Sequence, residues 1–277
     1  MNTLNKYITS LFLILVLILS SCSSDDDNST IVDPSAKGNI QLKFENGFNN
    51  LGGIVLNQTT QTSSSGQKHQ FSNLQYVISN ITLIDEQGNS FDYHKNNPDL
   101  GAFIIDQSKA VGNVNYINLT DVPQGKYTKV KFGLGISQDA YLLGQTGQAI
   151  FWDKAKDSGL TWSWAAGYIF VKLEGFYGTN ELNTPFKNHT GNMGNVNANN
   201  TANLYREITL NLPSTARVTG SIKPSIHIIA DFNQYLSGSK SLELNDSNHN
   251  AMGSSVFLQE VTDNLINMFR VDHVHNN

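Results

Sequence analysis

Short runs of alternating apolar and polar residues recur along most of the chain. Ile40, Leu42 and Phe44 alternate with polar neighbours, the two-residue period of a strand with one buried face. Residues 74–84 (LQYVISNITLI) are rich in β-branched and aromatic side chains and also read as a strand. Asp85-Glu86-Gln87-Gly88-Asn89 then forms a turn, with Phe91-Asp92-Tyr93 returning as the second arm of a hairpin. Further strands are predicted at 102–105, at 116–119, from Gly125 through Tyr127, Val130, Phe132 and Leu134, and at 168–173, 204–212 and 221–229. Helical spacing is found at 257–269, where Leu258, Val261, Leu265 and Met268 recur every three or four residues, with a turn or two within 139–149. Residues 144–164 and 179–203 read as long loops, the part around 195–200 being the most mobile. The pattern predicts an all-β fold, an antiparallel β-sandwich-like domain with long loops and a short C-terminal helix.

The N-terminus carries an export signal. Lys6 precedes an apolar run at 11–19 (LFLILVLIL), too short for a permanent membrane-spanning helix. Leu19-Ser20-Ser21-Cys22 resembles a bacterial lipobox, in which the cysteine sulfur is lipidated and becomes the new N-terminus. The expected division is a lipoprotein signal peptide at 1–21, a lipidated, acidic, flexible tether at 22–37 and a single folded domain at 38–277. Ser23-Ser24-Asp25-Asp26-Asp27-Asn28 is similar to the surface-export signal of Bacteroidetes lipoproteins. The resemblance implies an outer-membrane lipoprotein facing the cell surface, with a periplasm-facing one as the alternative.

Composition narrows the chemistry. The chain has 277 residues, 39% hydrophobic and 15% charged, with a net charge of −5. That balance argues against a nucleic-acid partner, which needs a basic face. Cys22 is the only cysteine, so internal disulfides and thiolate metal clusters are excluded. With Cys22 lipidated, no cysteine nucleophile remains. Gly-x-Ser-x-Gly, His-Glu-x-x-His and Walker sequences are absent. The chain therefore reads as a non-enzyme.

Histidine and tryptophan carry the remaining signal. Imidazole suits copper and zinc, and an exported chain without spare thiols must bind them through nitrogen. Of seven histidines, His273-x-His275 places two imidazoles on one side of an extended segment, or lies in a solvated tail. His227 sits in an apolar strand, where a buried structural histidine is the default. His189 lies in a polar stretch, where the default is plain exposure, and His69, His94 and His249 are expected in exposed loops. Trp162-x-Trp164 projects two indoles to one side, as part of a hydrophobic cluster, a sugar-stacking platform or an aromatic shell around a metal.

Several stretches together resemble one family. Gly159-Leu160-Thr161-Trp162-Ser163-Trp164-Ala165-Ala166-Gly167-Tyr168 is similar to the Trp-x-Trp-x-x-Gly-Tyr signature of MbnP-like proteins, exported copper-binding proteins named for the periplasmic partner in methanobactin operons. Tyr76-Val77-Ile78-Ser79-Asn80-Ile81, Phe186-Lys187-Asn188-His189-Thr190-Gly191 and Asn264-Leu265-Ile266-Asn267-Met268-Phe269 resemble three further stretches of that family. The resemblance implies an all-β sandwich-like body with a mononuclear copper site. In some members a tryptophan, oxidised to kynurenine by a separate dihaem peroxidase-like enzyme, helps bind the metal. Carried over, His189 matches the family histidine and Trp162 and Trp164 its tryptophans, while His273 and His275 fall in a terminal region that often bears histidine. The expectation is one copper ion held by His189, His227, His273 and His275 beside Trp162 and Trp164, with membrane attachment through Cys22. The alternative is a surface glycan- or protein-binding lipoprotein that uses the tryptophan-bearing loop.

Overall fold

The computed structural model describes residues 36–163, 166–192 and 203–277. Cys22 and Trp164 lie outside the described residues. The strands are β1 (Lys37–Phe48), β2 (Gly52–Gly53), β3 (Thr60–Thr62), β4 (Lys68–Asp85), β5 (Ser90–Asp92), β6 (Phe103–Asp106), β7 (Val114–Pro123), β8 (Gly125–Leu134), β9 (Ile169–Gly178), β10 (Thr184–Gly191), β11 (Arg206–Val218), β12 (Pro224–Asp231), β13 (Asn250–Gly253) and β14 (Phe269–Asn276). The α-helices are short: α1 (Pro98–Gly101), α2 (Gln138–Tyr141), α3 (Ala149–Asp157), α4 (Gln234–Ser237) and α5 (Val256–Leu265).

The strands build two sheets. The smaller has the order β14-β12-β1-β2, with β7 also paired to β1. The larger has the order β11-β8-β4-β9-β10-β13, with β3, β5 and β6 paired to β4. The hairpin predicted at 85–93 is present, β5 returning antiparallel on β4. The sheets are mixed rather than purely antiparallel, because β1 pairs β12 and β10 pairs β13 in parallel.

Alternation decides which side chains face inward. Ile40, Leu42 and Phe44 of β1 are fully buried, whereas Gln41, Lys43 and Glu45 are only partly covered. The buried set joins Ile226 and Ile228 of β12, Phe71 and Tyr76 of β4 and Phe132 of β8 in the core between the sheets. The Phe44 ring lies 6.5 Å from Tyr76 and 5.6 Å from Phe132, both edge-on. Burying each such ring contributes roughly 1.5–3 kcal/mol. The long strand β4 is buried without interruption from Leu74 to Leu83, which marks a strand covered on both faces. Tyr76 and Ile78 belong to the core between the sheets, and Val77 to a second apolar cluster that includes Ala140, Phe151, Leu160, Trp162, Tyr168 and Phe170.

Five expectations need correction. The segment 144–164 is not one loop: it contains α3, whose Phe151 and Ala155, one turn apart, are buried in the second cluster. The segment 179–203 contains β10, which is hydrogen-bonded between β9 and β13. The C-terminal segment is a strand paired with β12, not a solvated tail, and the predicted helix stops at Leu265. His69, expected in an exposed loop, is buried in β4 among the rings of Phe48, Phe71 and Tyr235. Among the described residues no helix is long and apolar enough to cross a membrane.

Candidate metal centre

The first site arises from strand alternation in β10. Phe186 enters the core between the sheets, and Asn188 accepts a hydrogen bond from the Tyr235 hydroxyl within it. His189 therefore turns to the other face of the larger sheet. In register, His189 stands opposite Lys172 of β9, and Glu174 lies two residues further along the same face. Glu174 Oε1 is 2.9 Å from His189 Nε2, and its Oε2 accepts a 3.4 Å bond from Asn73. The hydrogen bond from His189, helped by nearby Lys172, holds the Glu174 carboxyl below the usual carboxylate range against partial burial. An ionised Glu174 accepts from Nε2–H, so the neutral ring keeps its lone pair on Nδ1. That nitrogen has no hydrogen-bond partner among the described residues.

Trp162 completes this site. Its ring centroid is 6.5 Å from that of His189, and its Nε1 donates a 2.6 Å bond to the Asn192 carbonyl. The two segments that bear these residues pack backbone against backbone. Gly167 adopts a φ of +116°, and a Cβ there would lie 2.3 Å from Asn192 O. A Cβ on Gly191 would lie 2.2 Å from Tyr168 O. Only residues without a side chain permit this approach, which explains the glycines that follow Trp162 and His189 in the two motifs.

The second site is on the smaller sheet. His227 of β12 and His273 of β14 are register partners, their ring centroids 4.8 Å apart, and His275 follows at 4.5 Å from His273. The two-residue spacing thus places His273 and His275 on one side, as the extended reading required. Asp272 Oδ2 is 2.7 Å from His273 Nδ1 and 3.9 Å from His227 Nδ1. Glu45 Oε2 of β1 is 2.9 Å from His227 Nε2.

The expectation that all four histidines gather at one ion is not met. His189 stands on the larger sheet, facing away from the smaller one, whereas His227, His273 and His275 lie on the smaller sheet. The inward-facing core residues of both sheets separate the two groups. Glu174, Glu45 and Asp272 escaped sequence reasoning. Glu174 could have been found by alternation, since it shares a face with Lys172. Asp272 could not, because a regular strand would point it away from His273.

The MbnP family model matches residues 37–253. The chain belongs to the MbnP family. The matched span includes both Trp162 and His189, and ends before β14. Among solved structures, MbnP from Methylosinus trichosporium is similar, with a TM-score of 0.45 and 11% sequence identity, covering 78% of this chain and 83% of that one. Curated protein sequences give no significant match.

Proposed function

We propose that this MbnP-family protein is an exported, lipid-anchored, non-enzymatic copper-binding protein in which His189 holds the ion beside Trp162. The observation that supports this reading is the meeting of the two motifs: the Trp162 turn and the His189 strand, distant in sequence, are joined backbone to backbone. A carboxylate behind a ligating imidazole fixes its tautomer and raises its basicity, and Glu174 stands in that relation to His189. Imidazole nitrogen selects copper over magnesium or calcium. Bound copper would be cargo, and the residues' task is to hold it and shield it from water. One of the two signature tryptophans, Trp162 or Trp164, is proposed to be converted to kynurenine by a partner dihaem enzyme. Anchoring rests on the lipobox-like sequence at Cys22 and surface exposure on the acidic run behind it.

The glycan-binding alternative fares worse. Trp162 is only 4% exposed and its indole N–H is already bonded, so it offers no open face for a sugar ring. Metal analysis of the protein isolated from its native host, with peptide mass mapping, tests the proposal. Copper as the main metal, with an oxidised peptide bearing Trp162 and Trp164, is the expected result. A metal-free protein with unmodified tryptophans would contradict it.

A further inference from the structure

The grouping on the smaller sheet is unexplained by the His189 site. We propose that His227, Asp272 and His273 form a separate site for a first-row divalent cation, with Glu45 behind His227 and His275 at the rim. The three residues each offer a ligand atom, all within 4.8 Å of one another. Ligands bonded to a tetrahedral zinc ion at ordinary lengths lie roughly 3.3 Å apart, so closure needs only side-chain rotation. Two imidazoles with a carboxylate match the mixed nitrogen and oxygen preference of zinc(II) and copper(II).

The backbone is shaped for this cluster. His227 pairs with His273, but Ile228 pairs with Val271, leaving Asp272 as the extra residue of a β-bulge. A bulge re-aims a side chain, and this one brings Asp272 to the imidazoles. His227 is held from behind by Glu45, yet its Nε2 is buried and out of line for a hydrogen bond to that carboxylate. The ring is thus close to a charge partner without a settled bond, and its Nδ1 side opens toward Asp272. Arg270 occupies Asp272 Oδ1 at 3.2 Å, leaving Oδ2 to the histidines. Lys43 is the register partner of His227 on β1.

The proposal does not rest on the copper reading, and its test begins by removing that site. Zinc(II) is titrated calorimetrically into mature protein carrying His189→Ala. One zinc per chain is expected. His227→Ala and His273→Ala, each added to that background, should weaken binding by roughly tenfold or more. Arg270→Ala should tighten it by freeing Asp272, an effect that a purely structural ion-pair network would not produce. The His273 side chain is 42% exposed, so His273→Ala leaves the fold intact, and circular dichroism checks this. Absence of zinc binding in the His189→Ala protein, or unchanged affinity in His273→Ala, would overturn the proposal. Equal copper affinity in wild type and His189→Ala, with zinc binding retained here, would sink the copper reading alone.

Discussion

Glu174 stands behind His189, its Oε1 2.9 Å from the ring Nε2, and this pair sets which imidazole nitrogen is free. Replacing the carboxylate by an amide keeps the shape and removes the charge. Glu174→Gln should lower copper affinity by roughly 10–100-fold, the usual effect of losing such a partner. The melting temperature should change little, because Glu174 is partly exposed. Competition with a copper chelator, alongside a thermal melt, checks both halves.

Gly167 is a second point of leverage. Its positive φ and its 2.3 Å clearance from Asn192 O leave no room for a methyl group. Gly167→Ala should cost roughly 1–3 kcal/mol and detach the Trp162 turn from the His189 strand. Urea unfolding measures the first effect. A red shift in tryptophan fluorescence reports the second, since Trp162 is buried in the wild-type protein.

His69 predicts acid sensitivity. Burial lowers its pKa from 6.5 to about 4, and neither ring nitrogen has a hydrogen-bond partner among the described residues. The folded state therefore keeps the ring neutral while the unfolded chain can protonate it. The stabilisation is fully present above pH 6.5 and is lost as pH falls from 6.5 toward 4. The loss amounts to about 3 kcal/mol. In His69→Leu this part of the pH dependence should vanish. Urea unfolding of both proteins across that range is the check.

Cys22 is expected to carry the lipid. Cys22→Ala should release the protein from the membrane fraction while leaving metal binding by the folded domain unchanged. Fractionation of cells expressing each form measures this.

Much of the fold was legible because strand alternation is a local signal. Ile40, Leu42 and Phe44 announced β1, and the dense apolar run at 74–84 announced β4. The strand β10 was hidden because its inward positions include Asn188, a polar residue satisfied within the core by Tyr235 and the Asn248 carbonyl. His69 was misplaced because Lys68, Gln70 and Gln67 around it read as exposed, whereas its own side alternates into the aromatic core. The motifs marked Trp162 and His189, but the division of the histidines between two sheets depends on long-range pairing. The bulge at Asp272 is a matter of register with β12, which no local pattern records.

The central claim is that His189, beside Trp162, binds copper. Competitive titration of the mature protein with copper(I), comparing wild type with His189→Ala, tests it most directly. A loss of high-affinity binding in His189→Ala, with an unchanged circular dichroism spectrum, is the predicted result. Equal copper affinity in the two proteins would contradict it.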